Sequence, residues 1–432
     1  MSIVMLIIGL AILIFMTVRG INIIISAVIA SVFVALTSGQ DIIPAMTETY
    51  MQGFTGYFAS YFLLFLLGAI FGKVMAETGA AEAIAEWVMK IIGPKGAVMS
   101  VVLACAIMTY GGVSLFVVGF AVYPLAVSLF RNANLPRRFI PAALVFGSVT
   151  FTMYLPGSPE IQNIMPTDFF GTTPYSGFWI GLIVSLFSFV LGSFLLHYVI
   201  RKAVKKGEKF EHYTQDLKFD DGNKKKLPHI IIALLPVIIV VAGMVTYSQF
   251  LDGTPAAILA LLGAIVVACL TMFNYITGFW DVLGKGSNDA IVAICNTSAV
   301  IAFGKVAAVT SGFTEIVEAV LQIPGPPLLS MAICINLIAG LTGSASGGLG
   351  IALPILAPIY LNMGVDPGAL HRVSVMSSDG LASLPHNGYI VTTIRNISNE
   401  TFKKSYLSVA LMAVIVTMIS TALAVVLFTI FT

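Results

Sequence analysis

The sequence predicts an all-α polytopic membrane protein built from two inverted-topology repeats, each with five crossings, a re-entrant hairpin and a broken helix. Three observations predict it: the composition, an internal repeat and a one-sided distribution of Lys and Arg. Of 432 residues, 58% are hydrophobic and 10% are charged. A soluble domain carries about 25% charged residues. A mean hydropathy of +0.99 over the whole length leaves no stretch for a sizeable water-soluble domain. The lipid bilayer is the expected surrounding, with spans of about 20 residues. The net charge of +2 gives no pointer to a nucleic acid partner.

Apolar runs fall at residues 3–18, 20–38, 56–76, 97–130, 139–167, 176–200, 230–250, 255–274, 289–309, 327–361, 371–397 and 405–430. No Lys or Arg precedes the first, so it lacks the basic start of a signal peptide and is expected to stay as a helix. Cys105, Cys269, Cys295 and Cys334 all lie inside apolar runs and form no CxxC or CxxH pair. They form no disulfide framework or metal-ligand pattern, and no cofactor is expected.

A hydrophilic segment, Arg201 to Pro228, divides the chain. The division gives a first repeat at 1–201, a cytoplasmic charged linker at 202–229 and a second repeat at 230–432. The halves match in sequence. FGKVMAETGAAEAIAEWV from Phe71 and FGKVAAVTSGFTEIVEAV from Phe303 share nine of 18 positions without gaps. The offset also superposes the first two runs of each half. LPGSP from Leu155 meets LPHNG from Leu384 in the same order. Repeats of this kind are a signature of secondary transporters.

Two runs are interrupted by small residues. Thr109-Tyr110-Gly111-Gly112-Val113-Ser114 breaks the run 97–130, and Thr342-Gly343-Ser344-Ala345-Ser346-Gly347-Gly348 breaks 327–361. Arms of about 13–15 residues give roughly 20 Å of helix, short of a hydrocarbon core of about 30 Å. Both runs therefore read as re-entrant hairpins with tips at membrane depth. Irregular backbone is tolerated there where protein buries it or a cavity accepts it. The alternative is a through-going helix pair with a small-residue seam.

Charge placement favours the hairpins. With five crossings per half and the N-terminus outside, 20 of the 22 Lys and Arg fall inside, leaving only Lys305 and Arg372 outside. This is the positive-inside rule. It places a multi-pass protein in the inner (plasma) membrane with both termini outside. Residues 79–92 and 311–323 are amphipathic and too short to span, so they are expected along the interface.

Repeat symmetry makes four breaks face one another: the two hairpin tips and the interruptions at 155–159 and 384–388. In such repeats the binding site lies at their interface near the midplane. Helix N-termini with unpaired N–H groups suit a carboxylate. The candidate substrate-binding residues are Thr109, Gly111, Gly112, Ser114, Gly157, Ser158, Thr342, Ser344, Ser346, His386 and Asn387. Ionisable residues at membrane depth are functional by default, which nominates Asp379, His386 and Glu160 for ion coupling. Asp379 and His386 are seven residues apart, about two helical turns, and so are expected on one face. Asn296-Thr297 offers an alternative cation (Na⁺) site or interhelical hydrogen bonds. Lys73 and Lys305 occupy equivalent repeat positions and are expected to snorkel. No HExxH, GxSxG or GxxxxGK[ST] motif appears, so neither an enzyme nor an ATP-driven pump is expected. A channel would also use half-helices and carbonyls, but paired repeats favour a moving transporter.

The chain resembles the gluconate:proton symporter (GntP) family of the ion transporter superfamily. The resemblance rests on Leu67-Gly68-Ala69 with Gly72-Lys73, the Glu77–Ala81 turn and Val118-Gly119-Phe120 with Pro124-Leu125. Further along it rests on Ala133-Asn134-Leu135-Pro136, Pro156-Gly157-Ser158-Pro159, Gly343-Ser344-Ala345 and Pro354. It implies import of small sugar acids or hydroxy-monocarboxylates, proton coupling, a homodimer and, from the superfamily, elevator motion. The chain departs from the gluconate pattern at Leu115-Phe116-Val117, where an acid is expected, and at His386-Asn387-Gly388, in place of an Asn-Asp pair. Fewer polar ligands imply a substrate with fewer hydroxyls, such as 3-hydroxybutyrate or lactate.

Overall fold

The computed structural model describes residues 2–93, 96–213 and 226–432. Lys95 and the middle of the charged linker lie outside the described residues. Among those described, the regular structure is helical and contains no strand. Eight helices are long and apolar enough to cross a membrane, and four shorter apolar helices accompany them.

The elements of the two halves follow the same succession. Two helices, Ser2–Val18 and Ile23–Thr37, precede a long helix, Ile42–Glu77. A short helix, Ala80–Ile92, and a hairpin of Ala97–Tyr110 and Leu115–Asn132 follow. A helix over residues 140–153, broken before Ile161–Phe170, leads to Phe178–Lys205. The second half gives Ile230–Tyr247, Gly253–Met272, the long Phe279–Ala308 and the short Ser311–Leu321. Its hairpin is Pro327–Thr342 and Ala345–Asn362. Pro367–Asp379 breaks before a helix over residues 388–397, and Phe402–Phe431 closes the chain.

Three sequence expectations need correction. The long helices begin before their apolar runs at 56 and 289, because Thr47, Glu48, Asp281 and Lys285 are accommodated on helical faces. The second hairpin arms have 18 residues each, about 27 Å at 1.5 Å per residue, rather than about 13–15, because their helices begin directly after Ser114 and Ser344. Both are long enough to cross, so arm length does not argue against crossing there. The helix ending at Asp379 does not reach His386, which lies in the break. Helical spacing therefore does not relate these two residues.

The long helices pack antiparallel at the centre. Gly53 lies beside Ala302 and Lys305, and Gly286 lies beside Ile70. A Cβ on Gly53 would stand 2.9 Å from the Ala302 Cα, and one on Gly286 would stand 2.9 Å from the Ile70 Cα. Only glycine permits such an approach. Packing is exchanged between the halves: Ala80–Ile92 lies on Ile230–Tyr247, and Ser311–Leu321 lies on Ser2–Val18.

Two buried arginines complete the exchange. Arg137 begins the first broken helix and reaches the segment following the second. It donates to the Ser398 carbonyl at 3.2 Å and to the Tyr123 hydroxyl, with Glu400 3.7 Å away. Arg372 lies in the second broken helix and reaches the segment following the first. It donates to the carbonyls of Pro174 and Ser176 at 2.9 and 2.8 Å. The Arg372 side chain is fully buried, with carbonyls meeting its donors. Beyond the Phe178–Lys205 helix, Arg138 pairs with Glu208 at 2.7 Å and holds that carboxyl below its usual range.

Candidate functional site

Where the long helices, hairpin tips and breaks meet, the structure leaves a cavity of about 1060 Å³. Four helix starts contribute to its wall: Ser114–Val117, Ser344–Ser346, Glu160–Gln162 and Asn387–Ile390. Each start carries backbone N–H groups without helical partners. At the first hairpin tip the Ser114 side chain makes no cap. Gly112 takes φ +82° and lies against Pro159 of the neighbouring break. A left-handed turn of this kind suits glycine.

The second tip is tied to its own break. Gly343 takes φ +62° and packs against the His386 ring. Asn387 Nδ2 donates to the Gly343 carbonyl at 3.0 Å, and Asn387 Oδ1 accepts from Ile390 N. Ser344 Oγ accepts from Gly347 N at 3.1 Å and caps the second arm. His386 Nε2 lies 2.9 Å from the Gly340 carbonyl. A carbonyl only accepts, so Nε2 carries the proton in that bond.

The ionisable groups in the wall are mostly acids. Glu82, Glu160, Asp289 and Asp379 line the cavity together with His386, and Lys73 is the one Lys or Arg among the described lining residues. Lys73 Nζ meets Asp289 Oδ2 at 2.9 Å, joining the two long helices. Asp379 is 3% exposed, and its Oδ2 has no hydrogen-bond partner among the described residues. Asn296 and Thr297 lie further along the same helix as Asp289 and also face the cavity.

The structure therefore gathers Gly112, Ser114, Thr342, Ser344, Ser346, His386, Asn387, Asp379, Glu160, Asn296 and Thr297 around one space. It does not bring Thr109, Gly111, Gly157 or Ser158 into the lining. Thr109 is fully buried behind the tip. Gly111 faces Val237, and Gly157, at φ +82°, faces the Tyr175 ring. Ser158 is buried, its carbonyl accepting from Asn163 Nδ2 at 2.8 Å. Thr109 lies in the last turn of the helix Ala97–Tyr110, and Gly111 follows that helix as its cap.

Sequence reasoning missed Asp289 as a partner for Lys73, which it expected to snorkel. It also missed Asn163, whose side chain joins both halves through Arg372. A signal was present: Gln162 and Asn163 are adjacent polar residues inside the apolar run 139–167.

Comparison with known proteins gives a consistent picture. The profile described as GntP family permease matches residues 1–430. An uncharacterized transporter, YxjC of Bacillus subtilis (strain 168), is 33% identical over 94% of this chain and 94% of its own length. The inner membrane permease YgbN of Escherichia coli (strain K12) is 24% identical over 72% of this chain and 73% of its own. The isethionate TRAP transporter permease protein DctMQ of Oleidesulfovibrio alaskensis is 26% identical over 46% of this chain and 33% of its own. Among solved structures, the YdaH transporter of Alcanivorax borkumensis aligns with a TM-score of 0.49 and 15% identity, covering 90% of this chain and 88% of that one.

Proposed function

Because this chain belongs to the GntP permease family, a family of transporters rather than enzymes, we propose that it imports a small organic anion together with protons. The observation that carries the proposal is one cavity in which four helix starts converge beside the buried, unpartnered Asp379. Helix N-termini attract a carboxylate. Glu160, Asp289 and Asp379 in the same wall oppose it while charged. A buried carboxylate without a counter-charge is also costly. A proton on Asp379 relieves both costs, so proton and anion load together and leave together.

The substrate class follows from the polar groups available. Ser114, Thr342, Ser344 and Ser346 offer hydroxyls, and Asn387 already spends its amide on the second tip. Such a site suits a carboxylate with one or two hydroxyls, a hydroxy-monocarboxylate or small sugar acid. 3-Hydroxybutyrate and lactate are the first to test. The partial similarity to an isethionate transporter permease supports a small anionic substrate.

Two inverted repeats account for alternating access in this proposal. The antiparallel long helices and the exchanged packing of the halves support the inversion. The hairpins and broken helices, linked by Arg137 and Arg372, form a unit suited to elevator motion against a scaffold that includes the long helices. A homodimer in the plasma membrane, with termini outside and the charged linker in the cytoplasm, completes it. A second proposal, Na⁺ coupling, is favoured by Asn296 and Thr297 in the cavity wall. Counterflow in proteoliposomes with a panel of labelled carboxylates tests the activity. Exchange of hydroxy-monocarboxylates is expected, and its absence across the panel contradicts the proposal.

A further inference from the structure

Lys73 lines the cavity from the long helix Ile42–Glu77. It lies one residue beyond Gly72, against which Ser114 of the first tip packs. Its ammonium meets Asp289 at 2.9 Å, with side-chain exposures of 34% and 59%. Both side chains line the cavity, so a solute inside can reach the pair. Asp289 is seven residues before Asn296 on one helix, which is about 10 Å along the axis. The repeat-equivalent Lys305 is exposed and outside the cavity lining. The sequence repeat therefore does not explain the pairing.

We propose that Lys73 and Asp289 form a second carboxylate subsite, at which a transported anion displaces Asp289 from the Lys73 ammonium. This rests on the organic-anion reading above and adds a position to it. Among the described lining residues, whose other charged side chains are carboxylates, Lys73 is the one ammonium that offers an anion a direct ion pair. The pair is accessible enough that exchange of one carboxylate for another costs little, since partly exposed ion pairs contribute only about 0.2–1 kcal/mol. Asp289 occupies the ammonium while no substrate is present and competes with substrate as it leaves. The subsite therefore serves transit rather than tight holding.

The test is counterflow in proteoliposomes with the best-exchanged labelled hydroxy-monocarboxylate of the panel, comparing wild type with Lys73→Gln, Lys73→Arg and Asp289→Asn. Lys73→Gln is expected to raise the apparent KM roughly fivefold, the upper end for a partly exposed pair. Lys73→Arg keeps the charge and stays within about twofold of wild type on the same scale. Asp289→Asn frees the ammonium and lowers the apparent KM, the opposite sign. A pair that only holds the long helices together predicts loss in the same direction for both neutral variants. That result, or no change in KM for either, overturns the subsite. If wild type exchanges no carboxylate, the organic-anion reading itself fails, and the subsite with it.

Discussion

Arg372 Nη1 donates to Asn163 Oδ1 at 2.8 Å in the buried core, joining the broken helices of the two halves. The same guanidinium holds the carbonyls of Tyr154, Pro174 and Ser176, and His371 Nε2 reaches Asn163 at 3.3 Å. The first break is thus held from the second half. Its shape depends on a residue more than two hundred positions away in sequence.

Arg372→Met removes the donors from several buried acceptors at once. At about 1–3 kcal/mol for each buried group left unpaired, the protein should lose roughly 3 kcal/mol or more of stability. Arg372→Lys retains charge and some donors and should lose less. Thermal unfolding in detergent measures both. An Arg372→Met protein as stable as wild type removes the role assigned to this arginine.

At the centre, Gly53→Ala should destabilise because its Cβ meets backbone at 2.9 Å; overpacking of this kind costs about 1–3 kcal/mol. Gly286→Ala should behave alike. Gly56 is helical, with nothing within 4 Å of an added Cβ. There alanine should be neutral or stabilising by about 0.5–1 kcal/mol. Equal effects at Gly53 and Gly56 in the same unfolding assay would contradict the close crossing.

At the second tip, Ser344 and Ser346 separate two roles. Ser344 caps its helix through Gly347 N, so Ser344→Ala should cost about 1 kcal/mol of stability as well as weakening substrate binding. Ser346 makes no such cap, and Ser346→Ala should weaken substrate binding at near wild-type stability. Affinity that is unchanged in Ser346→Ala would remove its hydroxyl from the site.

For the ion, the bond from His386 Nε2 to the Gly340 carbonyl ties the break to the hairpin, whereas Asp379 Oδ2 is unengaged. Asp379→Asn should keep substrate exchange but stop accumulation driven by a proton gradient. His386→Ala should lower transport while leaving it proton-driven. The reverse pattern would assign the proton to His386.

The succession of elements was legible because hydrophobic runs, Gly/Ser tips and Pro-containing breaks are local signals. The two FGKV segments, from Phe71 and Phe303, both fall near the ends of long helices. The pairing of those helices was not legible. Nothing in the sequence says that Gly53 meets Ala302 or that Lys73 meets Asp289, since both depend on how the halves dock. The same limit explains Arg372. Loop counting assigns it a side of the membrane but not its burial, which depends on carbonyls freed by a distant break. Of the nominated site residues, Thr109, Gly111, Gly157 and Ser158 pack away from the cavity against neighbouring segments, and that too depends on long-range docking.

The central claim is proton-coupled import of an organic anion, and uptake into Na⁺-free proteoliposomes tests it most directly. With a labelled hydroxy-monocarboxylate outside and an inward proton gradient imposed, wild type should accumulate substrate above its outside concentration. Collapse of the gradient should abolish that accumulation. Uptake that ignores the gradient and requires added Na⁺ would contradict the account.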